Sequence, residues 1–407
     1  MALPTSGSLS GDQIDDEFPD SIDGGRPMSL SEYRGQRASK NGALYTLPAS
    51  PNSISYSDFR GVSAGYFIDV LIVGSGGGGG TPDGNDNGNC GGGGGGGFAQ
   101  IVNNLFVIPG VEYDLTVGGV DGVIQDGRPG QNGKSSSFTH NNVTYLSLGG
   151  GGGGGGSRSN ANDRQGRNGG NGGGQGNARV STDPQTWYGS ALNSNTCQAG
   201  DTCIGNRGGG AVYQAANSSE AGGGGGTTGA GGRGWFTQPL PDPNQPDSSG
   251  VGGAGIGVGF LNGASFNVNN SVRTKAIDGF GGGGGGGNSV TNTEAQLPGA
   301  NGGGDGTNPF ASDSQLNRDG YSRTGGGGGG GSRYNQNGSE GINGAGGGGT
   351  GVVIVRYKSS TILDNMGDVT SNPNVIRRNG NPDTTWKYLI FGRDTEHSAS
   401  LNLKFRA

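Results

Sequence analysis

Tyr66-Phe-Ile-Asp-Val-Leu-Ile-Val-Gly74-Ser-Gly-Gly-Gly-Gly-Gly80 is the stretch from which the rest of the chain can be read. An apolar segment rich in Ile and Val, suited to a strand buried on both faces, runs without a break into glycine. Further glycine runs lie at 91–97, 149–156, 222–226, 281–287, 325–331 and 346–349. Glycine loses more backbone entropy on ordering than any other residue and brings no side chain to bury. A folded chain with 99 glycines in 407 residues therefore needs a reason to collect them. One reason is that backbones without side chains can approach closely on every side. A run of seven in polyproline-II geometry is a rod of about 22 Å, at roughly 3.1 Å per residue, with no internal hydrogen bonds. Its N–H and C=O groups must find partners on neighbouring rods or in water. The expected fold class is therefore mainly β and irregular: a bundle of polyglycine-II helices with flanking β-strands, an extended N-terminal arm and a small C-terminal β-unit.

Composition supports this and narrows the function. The apolar fraction is 28% and the charged fraction 14%, against about 45–50% and 25% in ordinary globular domains. A conventional oil-drop core for the whole chain cannot be built from that. A disordered Gly/Ser-type linker is the plain alternative, opposed by the similar lengths of the runs and the β-like segments around them. The net charge of -6 argues against a nucleic acid or an anionic membrane as partner. No apolar stretch approaches the length needed to insert into a membrane. The opening Met1-Ala-Leu-Pro-Thr-Ser lacks the basic and apolar regions of a signal peptide, so synthesis in a cytoplasm without export by that route is expected. Cys90, Cys197 and Cys203 read first as reduced thiols, although 197 and 203 are spaced to close a small loop.

Three divisions follow along the chain. Residues 1–64 have ordinary composition and three short capping patterns: Ser10-Gly-Asp-Gln13, Ser29-Leu-Ser-Glu32 and Ser55-Tyr-Ser-Asp58. The second and third open related elements, Ser29-Leu-Ser-Glu-Tyr-Arg-Gly35 and Ser55-Tyr-Ser-Asp-Phe-Arg-Gly61. Helical fragments this short are not stable alone. The segment is therefore expected to be an extended attachment arm that folds against a partner. Residues 65–358 are the glycine-rich domain, in which runs alternate with β-segments and polar loops. Strands are expected at 67–73, 98–108 and 113–117, a hairpin at 137–148 through Asn141-Asn142, and a closing strand at 351–357 able to pair with 67–73. Residues 359–407 return to ordinary composition. Val375-Ile-Arg-Arg378, the turn Asn379-Gly380 and Trp386-Lys-Tyr-Leu-Ile-Phe391 suggest a hairpin, and Leu401, Leu403 and Phe405 alternate as in a half-buried strand. Together they read as a small β-appendage.

The framing Val70-Leu-Ile-Val-Gly-Ser-Gly-Gly-Gly-Gly-Gly80, then Gly97-Phe-Ala, then Ile108-Pro-Gly-Val-Glu-Tyr-Asp-Leu-Thr-Val-Gly118, and finally Gly351-Val-Val-Ile-Val-Arg-Tyr357, resembles the glycine-rich domain of bacteriophage tail-fibre and tail-tip adhesin proteins. The resemblance covers roughly residues 65–358. It implies a polyglycine-II sandwich whose inter-run loops meet the host surface. The expected function is a virion structural protein, a tail fibre or tail-tip adhesin. Its implied partners are other virion tail proteins and a host cell-surface receptor, and a homo-oligomer, a trimer by analogy with fibres, is expected. The competing expectations are a capsid or tail decoration protein without receptor binding and, more distantly, a tail-associated carbohydrate-active enzyme.

The chemical motifs carry less. Gly74-Ser-Gly-Gly-Gly-Gly79 matches the dinucleotide fingerprint, but Gly80, Thr81, Pro82 and Asp83 follow and no helix is signalled, so the match is chance. Gly133-Lys134-Ser135 ends like a P-loop with its first glycine one position out of place. Asp83, Asn85 and Asn87 match the first half of a calcium loop, but Gly94 stands where the bidentate Glu belongs. A simple polar turn is the favoured reading there and a bound Ca2+ the lesser one. His140 and His397 are far apart and lack any accompanying nucleophile motif, so no catalytic residues are assigned and the protein is not expected to be an enzyme. The aromatic residues Trp187, Tyr188, Tyr213, Trp235, Phe236, Tyr321 and Tyr334 sit among small and polar neighbours. Rigid rings in such settings serve recognition, or they pack over the ends of a side-chain-poor bundle. The sequence leaves both uses open.

Overall fold

The computed structural model describes residues 3–17, 30–40, 43–49, 52–83, 89–108, 111–120, 127–157, 160–177, 188–192, 205–214, 218–234, 250–262, 267–269, 274–288, 298–307, 318–336, 339–358, 375–378, 386–392 and 399–404. Within them the chain is mainly β and irregular, with little helix and several small antiparallel sheets. The strands are β1 (Arg37–Lys40), β2 (Ala43–Thr46), β3 (Val62–Ala64), β4 (Tyr66–Val73), β5 (Ala99–Val107), β6 (Glu112–Val117), β7 (Ser136–His140), β8 (Val143–Ser147), β9 (Val212–Gln214) and β10 (Ser218–Glu220). They continue with β11 (Asn267–Asn269), β12 (Thr274–Ala276), β13 (Ser332–Gln336), β14 (Ser339–Asn343), β15 (Val352–Lys358), β16 (Val375–Arg378), β17 (Trp386–Gly392) and β18 (Ala399–Lys404).

Two sheets form the apolar base. One has the order β16-β17-β15-β4-β5 and the other β18-β6-β7-β8. The closing strand β15 pairs antiparallel with β4, Val352 opposite Val73, as the apolar pattern of both segments anticipates. Ile68, Val70 and Ile72 point between the sheets with Leu115, Val117, Phe138, Val353, Val355, Leu389 and Phe391. Leu71, Val73, Val352, Ile354 and Ile390 face the other way, against Phe260, Leu261, Val268 and Phe280. The five-stranded sheet is thus buried on both faces, which is why its strands lack polar alternation. The hairpin β7–β8 turns through Asn141 and Asn142 at φ 48° and 62°, the left-handed pair that matches strand twist.

Both flanking regions differ from the sequence reading. Residues 3–64 hold a core of their own, with Leu3, Ile14, Tyr33, Ala38, Leu47, Phe59 and Val62 buried around the sheet β2-β1-β3 and a short helix, α1 (Gly11–Glu17). The capped turns are short, but their apolar residues converge: the rings of Tyr33 and Phe59 meet edge-on at 5.4 Å. This is a compact unit and not an extended arm. Capping at Ser10 matches the expectation, since the Gln13 N–H donates to Ser10 Oγ at 3.2 Å and the Ser10 N–H to Gln13 Oε1 at 2.9 Å; Ser29 lies outside the described residues. At the other end, β16–β18 are not an appendage. They complete both sheets, because β17 aligns seven residues with β15 and β18 aligns six with β6.

From the base rise extended segments that belong to no sheet, and β4, β5, β7, β8 and β15 continue into five of them. Their backbone bonding repeats every three residues. In segment 90–97 the N–H groups of Gly91, Gly94 and Gly97 donate to Gly331, Gly328 and Gly325, those of Gly92 and Gly95 to Gly154 and Gly151, and those of Gly93 and Gly96 to Gly222 and Gly225, all at 2.7–3.0 Å. Its carbonyls accept from three further segments, through Gly77 and Gly80, Gly174 and Asn177, and Gly284 and Gly287. Segment 90–97 is therefore surrounded by six others: 74–81, 149–156, 170–177, 221–227, 280–288 and 325–331. These six also bond to one another in a closed ring. An outer layer follows, made of 128–134, 164–169, 205–211, 250–256, 302–307 and 344–351, each segment bonded to two neighbours of the ring. The array leaves no room for side chains at its centre: a Cβ added at Gly91, Gly94 or Gly97 would lie 1.7, 2.0 or 1.9 Å from a carbonyl oxygen of segment 74–81.

Candidate recognition surface

The segments run between the apolar base and an opposite end, where their termini gather. Pro82 bridges Gly156, and Cys90 bridges both Asn177 and Ser332. The Asn288 N–H donates to Thr307 and that of Ala221 to Gly287. The connections 83–89, 211–221, 234–250, 288–298, 307–318 and 331–344 all leave from this end. Two carry described hairpins, β9–β10 and β13–β14.

Side chains at the segment ends satisfy backbone groups that no further segment reaches. Arg164 donates through Nη1 to the Ser157 carbonyl, Arg318 to Gly344 at 2.7 Å and Arg333 to Asp83 at 3.4 Å. All three arginines are almost fully buried. The hydroxyls of Thr307 and Ser332 are 2.7 Å apart, and the Thr307 hydroxyl also reaches the Gly330 carbonyl. Toward the base, Thr227 Oγ1 accepts from the Ala99 N–H and lies within bonding distance of the Gly97 and Gly281 carbonyls. These residues were not singled out from the sequence. For Thr227, Thr307 and Ser332 the signal is position, a hydroxyl residue directly after a glycine; the three arginines carry no such mark.

The aromatic candidates separate into groups. Tyr213 lies in β9 and Tyr334 in β13, both in hairpins of the end opposite the base. Tyr188 lies on the flank, where its hydroxyl accepts from Arg207 Nη1 and the guanidinium stands over the ring at 4.9 Å. Tyr321 is a correction. It is 9% exposed and packs in the core against the five-stranded sheet, with Lys275 Nζ 4.2 Å from the ring centre. It belongs to the base because the chain turns just after it, at 322–325, with the Thr324 N–H donating back to the Tyr321 carbonyl at 3.3 Å. Trp187, Trp235 and Phe236 lie outside the described residues, as do Cys197, Cys203 and His397. Of the calcium-loop residues, Asp83 is described and donates its N–H to the Gly156 carbonyl at 2.7 Å, while Asn85 and Asn87 lie outside. Among the described residues no group of three His, Cys, Asp or Glu side chains is placed to hold a metal ion.

His140 has a structural environment. Its Nε2 lies 2.7 Å from the Phe106 carbonyl, and its ring stacks on Tyr113 at 5.7 Å. The Tyr113 hydroxyl in turn accepts from the Ile108 N–H at 2.8 Å, and burial raises the Tyr113 pKa above its ordinary value.

A glycine-dominated array on an apolar β base, with its connections collected at the far end, defines a class of side-chain-poor β protein. The chain belongs to the glycine-rich domain family, whose match extends over residues 53–358. Comparison with curated proteins and with solved structures gives no match.

Proposed function

We propose that the array is a bundle of polyglycine-II helices, and that the protein is a bacteriophage tail fibre or tail-tip adhesin presenting the connections at its far end to a host cell surface. The threefold alternation of bonding partners along 90–97 supports the bundle, since a polyglycine-II helix has three residues per turn and directs successive backbone groups to different neighbours. The observation that carries the adhesive role is the polarity of the molecule: apolar sheets at one end, and at the other a cluster of connections between array segments. Connections on a rigid scaffold are where recognition is usually placed. The partners in this reading are other tail proteins, a homo-oligomeric assembly and a surface receptor, with the unit 3–64 on the virion side.

Three measurements test it. Circular dichroism of the purified full chain should give a polyproline-II-like spectrum with little α-helix; a helix-dominated spectrum would sink the bundle. Immunolabelling of particles should place the protein on the tail, and soluble protein should compete with adsorption. Tail location without competition would make it a decoration protein instead.

A further inference from the structure

We propose that the base is a strand-acceptor site, and that the C-terminal strands of a second copy of this chain are a partner that fits it. The inference does not depend on the adhesive reading. The family match ends at residue 358, where β15 also ends. Up to that point the two sheets are β15-β4-β5 and β6-β7-β8, and of their four edges β15 and β6 are the ones that the later strands cover. Free edges of this kind are templates for pairing.

In this chain β17 occupies the first edge and β18 the second. The fit is detailed. Leu389 and Phe391 of β17 enter the core between the sheets, and Tyr388 and Ile390 enter the core on the opposite face. The Tyr388 hydroxyl donates to the Leu261 carbonyl at 2.7 Å. None of this uses chain continuity. Lys358 stands directly opposite Trp386 although residues 359–385 separate them in sequence. The link 359–374 between β15 and β16 can reach up to about 55 Å when extended. A neighbouring copy held alongside can therefore supply the same three strands with every register unchanged.

The test uses the full chain with a specific protease site placed within 359–374. After cleavage the fragment carrying β16–β18 should remain bound to the body. Mixing cleaved protein with an isotope-labelled cleaved batch should yield hybrid complexes by native mass spectrometry, approaching a statistical distribution. Release of the fragment on cleavage would overturn the proposal, and so would retention without exchange after prolonged incubation. Ile390→Lys in the fragment should abolish retention; equal retention would show that β17 is not the element recognised. A second measurement needs no cleavage. Chains carrying Lys358→Cys are refolded at high concentration with chains carrying Trp386→Cys, and the doubly substituted chain serves as the folded intrachain control. A disulfide-linked dimer is expected from the mixture, and its absence beside a closed control would refute exchange.

Discussion

Gly78 and Gly94 belong to adjacent segments and should respond to a side chain in opposite ways. A Cβ on Gly94 would sit 2.0 Å from the Gly77 carbonyl oxygen, so any substitution must force segments 74–81 and 90–97 apart. Three bonds join them there, from Gly74 to Phe98, Gly77 to Gly95 and Gly80 to Gly92. At about 0.5–1.5 kcal/mol each, losing all three makes Gly94→Ala destabilising by about 1.5–4.5 kcal/mol. Gly78 lies on another face. A Cβ there meets nothing closer than the Gln131 nitrogen at 3.6 Å. By the threefold repeat it shares that face with Ser75 and Thr81, whose hydroxyls accept from the N–H groups of Lys134 and Arg128 at 2.6 and 3.1 Å. Gln131 stands midway between those two partners, and among the described residues nothing accepts from its N–H. Gly78→Ser should supply the missing acceptor, adding about 0.5–1.5 kcal/mol. Restricting the unfolded chain adds about 0.4–1 kcal/mol more, so the variant should gain about 1–2.5 kcal/mol in all. Denaturant unfolding of the two variants beside the parent measures both. If Gly78→Ser unfolds as early as Gly94→Ala, residues 75, 78 and 81 do not share a face and the threefold account fails.

Other expectations concern the base. Tyr113→Phe removes the acceptor of the buried Ile108 N–H and should cost about 1–3 kcal/mol by denaturant unfolding; an unchanged midpoint would show that water replaces the hydroxyl. Because the folded-state pKa of Tyr113 is raised, its contribution is intact below the unfolded value near pH 10 and falls as pH rises beyond it. The parent should therefore lose stability more steeply than Tyr113→Phe as pH rises above about 10, as titrated unfolding curves would reveal. Asp69 accepts from Arg356 Nε at 2.9 Å and from the Asn104 N–H at 2.9 Å. Asp69→Ala should cost about 3 kcal/mol, the low end for a buried pair because both side chains keep some exposure; a loss under about 1 kcal/mol would mean that solvent screens the pair. Refolding from denaturant should be slow, since the partners of segment 90–97 come from as far along the chain as Gly331. A millisecond refolding phase that recovers the full signal would argue against an array formed as one unit.

The base was legible because apolar residues announce themselves. The Ile/Val runs at 67–73 and 352–357 are found together, and Asn141-Asn142 marks the hairpin where it occurs. The array was legible only where glycine is unbroken. Segment 170–177, Gly-Asn-Gly-Gly-Gly-Gln-Gly-Asn, is a full member of the inner ring, while the pure run 346–349 lies in the outer layer. The backbone bonds of such segments do not depend on side chains, so composition cannot rank them. Because the bonding partners repeat every three residues, a side chain is admitted wherever its position faces out of the array. The compact unit 3–64 was missed for the opposite reason: its apolar residues are few, yet most of the described ones converge on one small core. Of the recognition candidates, Tyr321 could not be told from a loop aromatic, because its burial depends on Lys275 and Phe260, brought to it by a distant part of the chain.

The segments lie side by side, bonded across their length to as many as six neighbours, and run from the apolar base to the opposite end. A pull between the two ends would load those transverse bonds in shear and all at once, instead of opening them one by one as in an unzipped hairpin. Material built this way resists tension along its axis even though each bond is individually weak. A spacer that must stay straight under a tug from whatever its far end grips would gain from such an arrangement.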